Sequence, residues 1–247
     1  LNISTGTAQQ AADCGVPVVK HGNRSVSSRS GSADVLEAQG VSLPEGAEAA
    51  AGMLERTGFT FLFAPHFHPP MKAVVPVRRA MGVRTAFNIL GPLTNPASPP
   101  FLLLGAFSPE MAELMARAVA GSDIQRAWVI HGAPGWDEAT PVGEFLVFEA
   151  RDGQVTRRIR DPEDMGVPRC SAADLAGGDA EENAARLAAV LEGREHGPHR
   201  DALLLGAALV LELTGRSEGG QPAVTAAAAA IDDGRGADLL SRLKAGG

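Results

Sequence analysis

The sequence predicts an α/β domain with a mostly parallel central sheet flanked by helices. Three observations predict it. Short apolar runs of strand length alternate with longer stretches of helical pattern, as strand–crossover–strand units require. The runs end in polar or Gly/Pro clusters such as Lys20-His21-Gly22-Asn23, and ligands of such folds gather beyond the carboxyl ends of the strands. The composition is globular, with 45% hydrophobic residues in 247, while 29 Gly and 17 Pro supply many turns. Residues 1–247 are therefore expected to form one α/β domain.

In chain order, a helix is expected over residues 5–14, a strand over 16–19, and helices over 33–39 and 45–57. A strand over 60–64 then runs into Pro65-His66-Phe67-His68-Pro69-Pro70, followed by a helix over 71–81. Strands at 101–107 and 127–131 flank a helix at 109–120. Residues 145–150 and 155–159 around Asp152-Gly153 read as a β-hairpin with a primed turn, its second arm basic through Arg157, Arg158 and Arg160. A loop-rich linker follows Asp161-Pro162, and helical stretches cover 181–192, 200–213 and 223–244, the last holding the alanine tract 226–230. Trp128 reads as a core residue and Trp136 as a loop residue. No repeat of fixed period is visible.

Several classes are excluded or disfavoured. No apolar run reaches bilayer length, and the start carries no basic leader. Cys14 and Cys170 are too few for a metal quartet or a disulfide framework. A net charge of −7 argues against a general nucleic-acid coat, because such binding neutralises many phosphates. A soluble, cytoplasmic protein is expected. The chain begins with Leu1 rather than Met, so an N-terminal segment is expected to be missing.

The densest polar segment is residues 20–32, KHGNRSVSSRSGS, with Lys20, Arg24, Arg29, five serines, two glycines and no carboxylate. Hydroxyls, cations and freed backbone N–H groups together make an anion cradle, with the helix at 33–39 presenting its N-terminus. In an acidic chain, such a basic pocket suggests a small phosphorylated ligand; a solvated serine loop is the plainer alternative. Asn2-Ile3-Ser4-Thr5 is either an ordinary helix cap or a second phosphate contact, and the two readings stay level. Asp137-Glu138, in a loop after the strand ending at His131, would suit Mg²⁺, which takes one or two carboxylates plus phosphate oxygens; exposed charge is the alternative. His66 and His68 could face one way on an extended segment as a metal pair. No Cys or carboxylate lies close by in sequence, so a pocket wall of Pro65, His68 and Met71 is preferred. Arg78, two helical turns after Met71, would suit an aromatic carboxylate at the rim. The segment 87–96, FNILGPLTNP, reads as scaffold.

These segments in this order resemble the anthranilate phosphoribosyltransferase family, within the nucleoside phosphorylase and phosphoribosyltransferase superfamily. The resemblance rests on NIST, KHGNRSVSSRSGSADVLEA, FLFAPHFHPPM, VRTAFNILGPLTNP, the His131-Gly132 and Asp137-Glu138 pairs, and GDAEENAA, and it spans nearly the whole chain. It implies transfer of the phosphoribosyl group of 5-phosphoribosyl 1-diphosphate (PRPP) to anthranilate, with Mg²⁺ and with pyrophosphate leaving. It implies that Asn2, Ser4 and Thr5 belong to the PRPP and Mg²⁺ site, Ser4 touching the metal. By the same resemblance Lys20, Asn23, Arg24, Ser25, Ser27, Ser28 and Ser32 contact PRPP, and Asn23 and Arg78 meet anthranilate. His21, Pro65, His68 and Met71 shape the anthranilate route, and Asp137 and Glu138 hold Mg²⁺. Family members are homodimers with a small N-terminal helical domain.

One departure matters: the family's GTGGD-type loop and most of its helical domain precede the NIST segment, and neither is in this chain. As written, the chain is expected to fold as the α/β portion and to be inactive or poorly dimeric. No residue stands out as a strong general base, which suits an aromatic amine already unprotonated at neutral pH. Two alternatives remain: a nucleoside phosphorylase needing no metal pair, and a non-catalytic nucleic-acid binder using residues 20–29 and 157–160 as one basic face.

Overall fold

The computed structural model describes residues 1–25, 30–68, 91 and 93–246. The first helix, α1 (Ile3–Asp13), is buried on almost every side, which its small residues allow: Gly6 lies against Leu187 and Leu203, and Thr7 against Gly206. Its polar side chains are answered inside the core. Gln9 donates to the Gln39 side chain at 2.7 Å, and Gln10 to the Ala227 carbonyl at 2.9 Å.

Two parallel strands, β1 (Val18–Gly22) and β2 (Phe59–Phe63), pair from Val18 opposite Phe59 to Gly22 opposite Phe63. Helices α2 (Ser32–Ala38) and α3 (Ala47–Thr57) connect them and share a core around Leu36, Met53, Phe59 and Phe61. A one-turn helix, α4 (Ala64–Phe67), follows β2 directly with Pro65 in its first turn. His66 and His68 are therefore not on an extended segment as expected: His66 is exposed against the Phe63 ring, and His68 turns to His21. The expected helix at 71–81 and half of the segment 87–96 lie outside the described residues.

The second sheet has the order β3 (Phe101–Gly105), β4 (Arg126–Gly132), β5 (Phe145–Arg151), β6 (Gln154–Arg160). β3 and β4 are parallel, and the hairpin adds two antiparallel pairings. Asp152 and Gly153 both have positive φ, 52° and 74°, the primed turn read from the sequence. Alternation divides the sheet's two faces. Ala127, Val129, Phe148 and Ala150 pack under α5 (Pro109–Ala120), while Trp128, Ile130, Phe145 and Val147 meet Leu205 and Leu209 on the other side.

Two short 3₁₀ turns at Glu163–Met165 and Ala172–Leu175 interrupt the expected linker, and each buries its last residue. Then come α6 (Ala180–Leu191), α7 (Pro198–Leu213), α8 (Gly220–Asp232) and α9 (Arg235–Ala245). The single helix expected over 223–244 is in fact two, because Gly234 takes the left-handed conformation at φ 79° and the chain turns there. Among the described residues, no helix is long and apolar enough to cross a membrane.

The basic arm β6 is not an open cationic face. Arg158 pairs with the buried Glu149, which also pairs with Arg126 at 2.5 Å, and Arg160 pairs with Glu212 at 2.8 Å. Arg126 and Arg160 both lie over the Trp128 ring, at 5.0 and 5.7 Å from its centroid. Arg160 joins the hairpin to α7 and Arg126 joins β4 to it, while Arg158 is paired within the hairpin, so much of the arm's positive charge is neutralised internally.

Candidate phosphoribosyl site

The site forms where β1, β3 and β4 end and α1 begins. Lys20, near the end of β1, donates from Nζ to Ser4 Oγ at 2.7 Å. Burial pushes its ammonium down to about 8, against the opposing pull of the Glu138 and Asp137 carboxylates. Residues 4, 20, 137 and 138, far apart in the chain, thus share one electrostatic neighbourhood.

Two glycines at strand ends bring the acidic loop there. A Cβ on Gly105, at the end of β3, would collide with the Asp137 carbonyl; one on Gly132, at the end of β4, would collide with the Glu138 carbonyl. The loop backbone therefore lies directly across both strands. Burial, and then the adjoining Asp137 carboxylate, push Glu138 up to about 8, while Lys20 opposes. A half-buried acid beside a second acid is short of positive charge. Among the described residues no three His, Cys, Asp or Glu side chains converge into a metal cage. Two carboxylates and the Ser4 hydroxyl are a hard-oxygen set that fits a cation keeping water or phosphate oxygens in its remaining positions.

The described limbs of the serine-rich loop, residues 23–25 and 30–31, are organised by a carboxylate just past the acid-free window. Asp34 accepts from the Ser25 N–H at 3.0 Å, the Gly31 N–H at 2.8 Å and Arg24 at 3.3 Å. Burial works against its charge, but the N–H bonds from Ser25 and Gly31, and then Arg24, hold it below the usual carboxylate range. The α2 N-terminus is thus used internally: Gly31 donates to Asp34, and Ala33 donates to the Asn23 carbonyl at 3.3 Å. Arg24 is half exposed, donates to Glu37 at 2.6 Å and lies over Phe63 at 5.5 Å. Asn23 is exposed, its Oδ1 accepting from the Arg24 N–H, and Ser32 lies close to Gly22.

In the NIST segment the cap and the site coexist. Asn2 Oδ1 accepts from the Thr5 N–H at 3.1 Å as the N-cap of α1, while Ser4 is exposed towards Lys20. Thr5 is fully buried, and among the described residues its hydroxyl has no hydrogen-bond partner. Beside the cradle, His21 meets His68 edge-on with centroids 5.0 Å apart, and Pro65 is half-buried nearby in sequence on α4. Burial, and then His68, lower the His21 imidazole, although a hydrogen bond to the Gly91 backbone opposes this. Ser27, Ser28, Met71 and Arg78 lie outside the described residues.

Three features escaped the sequence reading. Asp34 could have been found from its place three residues after Gly31, the N3 position of α2, where a carboxylate can reach back to the N-cap N–H. Gly105 and Gly132 could have been found as glycines closing apolar runs, a signal of close backbone approach. Asn183 lies within the quoted GDAEENAA segment, but nothing local marks its contact with Ser30.

The profile of the glycosyl transferase family, a/b domain, matches residues 1–237. The anthranilate phosphoribosyltransferase of Moorella thermoacetica is 46% identical over 245 residues, covering 99% of this chain and 72% of that protein. Anthranilate phosphoribosyltransferase 2 of Streptomyces coelicolor is 47% identical over 242 residues, covering 98% of this chain and 72% of that protein. Among solved structures, anthranilate phosphoribosyltransferase from Thermus thermophilus superposes with a TM-score of 0.91 at 44% identity, covering 99% of this chain and 73% of that one. The Saccharomyces cerevisiae enzyme in complex with PRPP and Mg superposes with a TM-score of 0.90 at 27% identity, covering 99% of this chain and 69% of that one. Agreement of this extent, over the fold and through the segments that build the site, leaves one assignment: the chain belongs to the anthranilate phosphoribosyltransferase family.

Proposed function

We propose that this chain carries the catalytic domain of a cytoplasmic enzyme that joins PRPP to anthranilate, giving N-(5-phosphoribosyl)anthranilate and pyrophosphate. The observation that carries the reading is the Lys20–Ser4 contact standing within reach of Asp137 and Glu138. One cation, one hydroxyl and two carboxylates at a common strand edge suit a ligand with phosphate groups at both ends of a sugar.

Lys20, Asn23, Arg24, Ser25, Ser27, Ser28 and Ser32 bind the phosphates and ribose. Asn2 fixes the first turn of α1, so that Ser4 stays turned towards Lys20. Asp137, Glu138 and Ser4 hold Mg²⁺, which when bound supplies positive charge to offset that gathering on the departing pyrophosphate. His21, Pro65, His68 and Met71 line the approach of anthranilate, and Asn23 and Arg78 orient it. The C1–oxygen bond to pyrophosphate breaks as the amine nitrogen bonds to C1, and the amine proton passes to solvent. Rate enhancement comes from holding the two reactants aligned and from stabilising the leaving group, with no strong base required. The full-length form is a homodimer.

Fluorescence loss of anthranilate with PRPP and Mg²⁺, measured on the full-length protein, tests this. Asp137→Ala and Glu138→Ala are each expected to cost at least about 100-fold in kcat/KM, the weight of a lost charge-stabilising group. Turnover unchanged in both variants overturns the metal assignment. Phosphorolysis of nucleosides indifferent to chelator would replace the whole reading.

A further inference from the structure

The side-chain amide of Asn183 takes no part in the chemistry above, yet it reaches the back of the phosphate loop from 153 residues away. Only 5% of the residue is exposed. Its Nδ2 donates to Ser30 Oγ at 2.8 Å and to the Gly178 carbonyl at 3.1 Å, and its Oδ1 accepts from the Gly178 N–H at 3.1 Å. The turn of α6 that carries it is itself fixed: Glu182 N–H donates to Asp179 at 2.9 Å, and Asp179 N–H donates to Glu182 at 3.0 Å. Ser30 is thereby joined to a rigid helix start, while Asp34 holds Ser25 and Gly31 from α2.

We infer that Asn183 is a positioning residue for PRPP, acting through Ser30 to hold the second limb of the loop, residues 30–31, in place before the ligand arrives. Asp34, the Ala33 N–H and Glu37 tie residues 23–25 to α2, the helix that directly follows the loop. A hydrogen bond to a second helix turns that local closure into a fixed placement relative to α1 and Lys20. Ordering in the free protein lowers the entropic cost of binding. The inference rests on the PRPP reading above.

The test compares the unaltered full-length protein with Ser30→Ala, Asn183→Ala and the double variant. PRPP affinity with Mg²⁺ is measured by calorimetry, hydrogen exchange at the Ser25 and Gly31 amides by NMR, and Tm by unfolding. Ser30→Ala leaves the Gly178 clamp intact; it is expected to weaken PRPP about tenfold, the weight of one hydrogen bond, and to speed exchange with Tm unchanged. Asn183→Ala is expected to match that affinity loss with a lower Tm, and the double variant to lose nothing further in affinity. If Ser30→Ala changes neither affinity nor exchange, and Asn183→Ala changes only Tm, Asn183 is structural and the inference fails. If the unaltered protein does not bind PRPP, the PRPP reading fails instead, and exchange at Ser25 and Gly31 alone decides whether the tether orders the loop.

Discussion

Gly132→Ala tests whether the acidic pair is set by backbone packing at the sheet edge. The added Cβ would meet the Glu138 carbonyl well inside 3.0 Å, a separation that real Cβ contacts essentially never show. The strand is not free to yield: Gly132 pairs with Phe145 and exchanges hydrogen bonds with Trp136 at 2.9 Å in both directions. The loop must therefore retreat by about 1 Å or more, carrying Asp137 and Glu138 away from Lys20 and Ser4. Displacement on that scale costs about 100-fold in kcat/KM, against an overpacking cost of about 1–3 kcal/mol in stability. Steady-state kinetics, Mn²⁺ titration by EPR and urea unfolding separate the two effects. Gly121→Ala is the control, since its Cβ meets nothing nearer than 3.9 Å. Were Gly132→Ala to keep its metal affinity and a kcat/KM within twofold of the parent, the loop would not be placed by this contact and the reasoning would be wrong.

Asp13 provides a pH signature remote from the site. Burial is the largest cause raising its carboxyl from 3.8 to about 7, with Arg235 and Arg242 opposing, so the fold holds a proton that the unfolded chain releases over that interval. Its contribution is absent below pH 4, turns destabilising as pH rises to 7 and stays so above. Asp13→Asn should match the parent in urea unfolding at pH 4 and exceed it by about 2 kcal/mol at pH 8, a figure discounted for screening; a difference constant with pH would refute the assignment. Glu149→Gln leaves Arg126 and Arg158 without their shared carboxylate; it should cost about 2–4 kcal/mol in urea unfolding while the kcat of the folded enzyme stays unchanged.

The parts of the fold governed by neighbours in sequence were legible. The helix expected over 109–120 has those bounds because Ser108 caps it and Pro109 occupies its first position, both local signals. The hairpin followed from Asp152-Gly153 alone. Where tertiary geometry decides, the pattern misled. The alanine tract promised one long helix, but alanine propensity says nothing about the break at Gly234. The serine loop's lack of acids was a matter of where the window closed: Asp34 and Glu37 return to Arg24 on the first turns of α2. Contacts such as Gly105 with Asp137, or Asn183 with Ser30, join residues tens to hundreds of positions apart, and no spacing rule encodes them.

The arrangement of charge explains how the described limbs of the loop, residues 23–25 and 30–31, can be held in place and still receive a phosphate. The Arg24 pairs with Glu37 and Asp34 are solvent-exposed, and such pairs are worth about 0–1 kcal/mol each. A phosphate offering bidentate acceptors can therefore draw the guanidinium away at little cost. The backbone bonds from Ser25 and Gly31 to Asp34 persist through that exchange, because they do not involve Arg24. Once Arg24 leaves, Asp34 carries an unneutralised charge but keeps two N–H donors, which favour the carboxylate form. Loop shape is thus assigned to hydrogen bonds that ligand binding leaves alone, and charge compensation to a pair that ligand binding can replace. On the proposed reading, Lys20 and Ser4 would play the corresponding fixed part at the other end of the sugar, where the opposing carboxylates are held by strand-end packing.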